Sequence, residues 1–121
     1  MGARYTGERF DISVRYEMAW LSLFLAGVLE ILWAIGLKYS EGFTRLWPSL
    51  ATLVAIGLSF TLLGLSLKSV PFGTAYAIWT GIGAVGAVTA GVLLFGESVA
   101  AERLVCLGLI ISGTIGLRLV T

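Results

Sequence analysis

The chain has 121 residues, with eight Lys or Arg against seven Asp or Glu, no histidine and one cysteine. Hydrophobic side chains make up 58% and charged ones 12%, where soluble domains average roughly 45–50% apolar with glycine included and about 25% charged; with a mean hydropathy of +0.97, this excludes an ordinary soluble domain and predicts an integral membrane protein. The near balance of charge, without a basic cluster, points to no nucleic-acid partner, and the lack of histidine, of metal-ligand spacing and of a Ser/His/Asp set leaves no basis for an enzyme, a metal or a cofactor.

Residues 1–17, MGARYTGERFDISVRYE, are unlike the rest. They carry Arg4, Glu8, Arg9, Asp11, Arg15 and Glu17 and no apolar run. No apolar h-region with a small-residue cleavage site follows the basic residues, so the stretch is not a signal peptide. It reads either as a disordered N-terminal extension or as the product of a start site placed upstream of Met18. A single membrane domain, residues 18–121, follows.

A bilayer core needs about 20 mostly apolar residues per helix. The first predicted span is Ala19 to Tyr39. It holds Glu30, the only ionisable residue well inside any span. A charge at the centre of a membrane helix costs roughly 2.5–3.5 kcal/mol on insertion scales, and intramembrane carboxylates usually mark ion or substrate routes. The bland alternative is a hydrogen-bonded structural glutamate. Gly27 and Trp33, three residues either side, share its helix face. The glycine leaves room beside the carboxylate, and the tryptophan offers an apolar wall with one N–H donor.

Ser40 and Gly42 mark the first loop. The second span starts near Leu46 or Trp47, with Pro48 in its first turn, and runs to about Leu67. Ser59 is its mid-membrane hydroxyl, placed to bond a carboxylate or merely its own backbone. Lys68, Ser69 and Pro71 mark the second loop. The third span, about Gly73 to Phe95, carries no charge. Tyr76 and Trp79 share a face there. Tyr76 alone could be an interfacial aromatic, but Trp79 lies deeper than an aromatic belt. The run GIGAVGA follows. Gly81, Gly83 and Gly86 match a dinucleotide fingerprint only by chance, because no strand precedes them. They are read as a kink or hinge that also permits close packing.

Gly96 and Glu97 end the third span. The fourth runs from near Ala100 to near Arg118 and has the shortest apolar stretch, Leu104 to Leu117. Cys106 lies in it as a small apolar-face residue. Gly108, Ser112 and Gly116 fall four apart on one face, a small-xxx-small stripe that fits either a dimer seam or packing within one bundle.

Four spans put both termini on one side. From Met18 onward that side carries Lys68 and Arg118, against Lys38, Arg45 and Arg103 on the other. Lys/Arg bias sets orientation, and two against three is almost no bias, so insertion in both orientations is expected. Counting Arg4, Arg9 and Arg15 changes the ratio to five against three, with termini inside.

Taken together, the first-span glutamate, the loop KYSEGFTR from Lys38 to Arg45, and Ala75-Tyr76-Ala77-Ile78-Trp79 resemble the small multidrug resistance family of proton-coupled exporters, from Met18 to the end of the chain. Trp33, where the polyspecific branch typically has glycine, and Trp79-Thr80-Gly81-Ile82-Gly83-Ala84 look like the guanidinium-exporter branch. The resemblance implies an all-α protein of the cell membrane, with four transmembrane helices per chain in an antiparallel, dual-topology homodimer that exchanges guanidinium for protons. It implies Glu30 as the substrate- and proton-binding carboxylate, and Gly27, Trp33, Ser59, Tyr76 and Trp79 as the residues around it. Arg118 stands where a basic residue, often lysine, is expected, and residues 1–17 have no counterpart. Ser59 and Trp33 are expected to hold the carboxylate, with the Tyr76 and Trp79 rings closing the sides. The rival readings are a polyspecific exporter of quaternary ammonium or hydrophobic cations, and a non-transporting subunit of a heteromeric membrane complex.

Overall fold

The computed structural model describes the backbone from residue 2 to residue 121 and side chains from residue 12 onward. Four helices follow one another: α1 (Gly2–Tyr39), α2 (Leu46–Ser66), α3 (Phe72–Phe95) and α4 (Ala101–Val120). Each includes a stretch long and apolar enough to cross a membrane. The first such stretch lies within Ile12–Tyr39, which contains the expected span from Ala19 to Tyr39.

The helix ends follow local chemistry. Pro48 sits in the first turn of α2, where its missing N–H is no loss, and Pro71 is the residue from which α3 starts. Gly96 closes α3 in the left-handed conformation, at φ +66°, and the Glu97 N–H donates back to the Gly91 carbonyl at 3.1 Å. The α1–α2 loop is tighter. Glu41, Gly42 and Phe43 are all left-handed, at φ 49°, 72° and 64°. Ser40 holds this turn from inside: its buried hydroxyl donates to the Leu37 carbonyl at 2.7 Å and accepts the Phe43 N–H at 3.2 Å.

At the other end, α1 continues back through the polar stretch without a break. That stretch has no proline, and Arg4–Glu8 and Asp11–Arg15 stand four apart in the sequence, a spacing that supports a helix. The side chains of residues 1–11 lie outside the described residues.

Helix α1 is the spine. It packs against both α2 and α3, which scarcely meet each other, while α4 packs on α3. The buried positions are small or hydroxylated to an unusual degree. On α2 they are Ser49, Thr52, Ser59, Leu63 and Ser66, spaced three, four or seven apart on one stripe. Lipid supplies no hydrophobic drive between helices, so close backbone approach must hold them. Gly36 of α1 meets this stripe where a side chain would overlap Thr52. The buried hydroxyls do not go unsatisfied: Thr52 donates to the Pro48 carbonyl at 2.7 Å and Ser66 to that of Leu63 at 2.6 Å. Large apolar side chains such as Leu53, Val54, Leu109 and Leu119 stay on the outside, where a bilayer covers them.

Candidate functional site

The three first helices meet at one backbone atom. The carbonyl oxygen of Ala26 accepts the Ser59 hydroxyl at 2.7 Å and the Trp79 indole N–H at 3.2 Å; the same N–H reaches the Ser59 oxygen at 3.0 Å. All three residues are buried. Of the buried hydroxyls on α2, Ser59 is the one that bonds another helix rather than its own. Ala26 is one helical turn before Glu30, so in the helix ladder its carbonyl also faces the Glu30 amide. The node therefore fixes the backbone from which the carboxylate projects.

Glu30 itself is half-buried, and its Oε2 is buried without a hydrogen-bond partner among the described residues. Its carboxyl group lies directly against Gly83 of α3: a Cβ at that position would overlap the Glu30 carboxyl carbon and Oε2. Trp33, one turn further along α1, has a buried Nε1 that is likewise unpartnered. The site thus holds a carboxylate oxygen and an indole N–H with unused bonding capacity, in a wall that is otherwise apolar.

An aromatic file runs beside it. Trp79 is 5% exposed and packs its ring on Phe60 of α2 at 5.3 Å and on Tyr76 at 5.7 Å between centroids; Tyr76 stacks on Phe72 at 6.2 Å. Tyr76 is half exposed, at the open end of the file.

Several expected roles change. Ser59 is spent on a backbone carbonyl and not on Glu30. Trp33 makes no hydrogen bond to the carboxylate, since its Nε1 has no partner. Gly27 does not make the room beside Glu30. It faces Ile82, whose Cγ2 would be 2.7 Å from a Cβ there. Gly83 makes that room instead. Helix α3 runs unbroken from Phe72 to Phe95 through the glycines read as a hinge or packing site. Gly81 takes Thr114 of α4, Gly83 takes Glu30, and Gly86 takes Ile31. They are packing seats, because a glycine lets a neighbouring side chain reach the helix backbone. The α4 stripe also resolves one alternative: Gly108 and Ser112 are exposed, and nothing lies within 4 Å of a Cβ on Gly108 or Gly116, so the stripe does not pack within its own bundle.

Four helices long and apolar enough to cross a membrane, with one carboxylate within the first of them, define a polytopic membrane protein. Comparison with known proteins agrees. Residues 18–110 match the Small Multidrug Resistance protein family. A protein of Yersinia pseudotuberculosis named Guanidinium exporter is 59% identical over 102 residues, covering 84% of this chain and 98% of the relative. Proteins of the same name from Salmonella typhimurium and Citrobacter freundii are 57% identical over 102 residues and 56% over 104; they cover 84% and 86% of this chain, and 97% and 99% of the relatives. The chain belongs to the small multidrug resistance family. It is a multi-pass transporter of the cell membrane, not an enzyme.

Proposed function

We propose that this protein exports guanidinium in exchange for protons, as an antiparallel pair of identical chains whose two Glu30 carboxylates share one cavity. The observation that carries the reading is the buried, unpartnered Oε2 of Glu30, the sole carboxylate deep in any span. The relatives named for guanidinium export, similar along nearly their whole length, supply the substrate. The free small-residue stripe on α4 supplies a seam for the second copy.

The chemistry follows from charge. Guanidinium is planar, permanently cationic, and presents N–H groups in a fork that fits a carboxylate. It cannot shed its charge to cross lipid, so a carrier must supply a compensating anion. A proton on Glu30 removes that anion. Cation and protons therefore exclude one another, and a site that turns over only when occupied exchanges one for the other. Two carboxylates in one cavity titrate as a pair. If both must be empty for a cation to bind, two protons return for each guanidinium.

Lowering the pH protonates the carboxylates and weakens guanidinium binding. The steepest rise in Kd expected is about 100-fold for each pH unit lowered, two protons competing with one cation. Guanidinium uptake into proteoliposomes, driven by an outward proton gradient, tests the reading. Wild type transports guanidinium and not tetramethylammonium, and Glu30→Gln does neither. Proton-driven guanidinium uptake by Glu30→Gln would overturn it.

A further inference from the structure

A lateral groove opens between α1, α3 and α4. It consists of two confluent chambers of about 300 and 350 Å³, with Phe24, Ile82, Thr114 and Ile115 lining both. The walls are apolar. The Thr114 hydroxyl is spent on its own helix, donating to the Ile110 carbonyl at 2.8 Å. At the end nearest the chain termini the lining changes character, to Arg118 and Trp20. The Arg118 guanidinium lies 4.2 Å from the Trp20 ring centroid, and neither it nor the buried Trp20 Nε1 has a carboxylate or carbonyl partner among the described residues.

The groove's length is informative. From Trp20 to Ile31 helix α1 rises ~16 Å. That is about half of a ~30 Å hydrocarbon core, the depth of a single leaflet. The slot is apolar, opens sideways and is one leaflet deep. Its outer end carries a cation seated over the Trp20 ring. The geometry points to a bound anionic phospholipid, with one acyl chain along Phe24, Ile82 and Ile115 and the phosphate on Arg118. The guanidinium supplies charge-assisted hydrogen bonds to phosphate oxygens, and basic pockets between membrane helices bind anionic head groups in this way.

A second copy of the chain is the competing occupant, and the α4 faces separate the two. At 100° per residue, Gly108, Ser112 and Gly116 centre roughly 110° around the helix from Ile111, Thr114, Ile115 and Arg118. A partner seated on the stripe leaves the groove open to lipid. The inference is independent of what the protein transports.

Native mass spectrometry of the full chain, drawn from an equimolar mixture of phosphatidylglycerol and phosphatidylcholine, tests it. Wild type retains phosphatidylglycerol at least tenfold over phosphatidylcholine. Arg118→Gln loses that preference, Arg118→Lys keeps most of it, and Ile115→Trp, which fills the groove, lowers retention of phosphatidylglycerol as far as Arg118→Gln does. A readout without substitution accompanies these: phosphatidylglycerol brominated along its chain quenches the wild-type tryptophan fluorescence more than brominated phosphatidylcholine at equal mole fraction. Equal retention by wild type and Arg118→Gln would overturn the inference, as would equal quenching by the two lipids. Disulfide cross-linking between copies of Ile115→Cys, in a Cys106→Ser background, would overturn it too, by showing that a second chain covers the groove.

Discussion

At Gly83 the demand on one residue is absolute in a way its helix does not require. A methyl group there would occupy the space of the Glu30 carboxyl. Gly83→Ala is therefore expected to lower guanidinium uptake at least tenfold. Gly57→Ala, on α2 with nothing within 4 Å of the new Cβ, should leave uptake unchanged and favour the helix by up to ~1 kcal/mol. Equal uptake by the two variants would remove the positioning role. Ser59→Ala should act on stability more than on binding. It deletes one donor to the Ala26 carbonyl, but Trp79 still reaches that oxygen at 3.2 Å. A loss of about 1 kcal/mol is expected, in the range of one intramolecular hydrogen bond, measured by thermal unfolding in detergent. Glu30 stood out in the sequence as a carboxylate inside an apolar span and Trp79 as an aromatic deeper than a belt, whereas Tyr76 alone read equally as an interfacial aromatic and the residues around Glu30 were implied only by the family resemblance. The pairing of Gly83 with Glu30 was not legible. It depends on how α1 and α3 are rotated toward one another, and a helix apolar all round carries no periodicity to reveal that.

At the scale of the helices, their ends were the most legible feature and their contact faces the least. Proline, glycine and charge interrupt an apolar run for local reasons, so the expected limits of α2 and α3 fall within a residue or so of Leu46–Ser66 and Phe72–Phe95. The hydroxyl stripe of α2 escaped notice because serine and threonine bond their own backbone and can face either lipid or protein. The backward reach of α1 past the apolar span that begins at Ala19 was not legible, because charged side chains limit the apolar part of a helix and not the helix itself. The α1–α2 and α3–α4 turns allow a paired test of backbone strain. Gly96→Ala places a side chain at φ +66° and should destabilise by about 1 kcal/mol. Phe43→Gly relieves the same strain at φ 64° at a half-exposed position, and should be neutral or stabilising by up to ~1 kcal/mol. Opposite shifts of the unfolding temperature are the expected result; a fall for Phe43→Gly as large as that for Gly96→Ala would place the Phe43 side chain, not the backbone, in control of the turn.

For the whole molecule, the three-helix unit of α1, α2 and α3 carries the core, and α4 contributes no buried residue to it. A helix so poorly buried within its own chain leaves a face for the second copy proposed above. Balanced Lys and Arg around the short loops would let that copy insert upside down. A C-terminal reporter on the chain begun at Met18 is expected on both sides of the membrane; a single-sided signal would exclude an antiparallel pair of identical chains. The length of α1 adds a practical consequence. Glu30 lies ~27 Å along the helix from Ile12, and the node at Ala26 makes the stretch between them a stiff arm. If the site changes sides by rocking α1 through ~20°, about the usual tilt of a membrane helix, the arm would sweep Ile12 through ~9 Å. A displacement too small to follow at the carboxylate would then be read at the tip as a large change between paired spin labels, with the protein serving as its own lever.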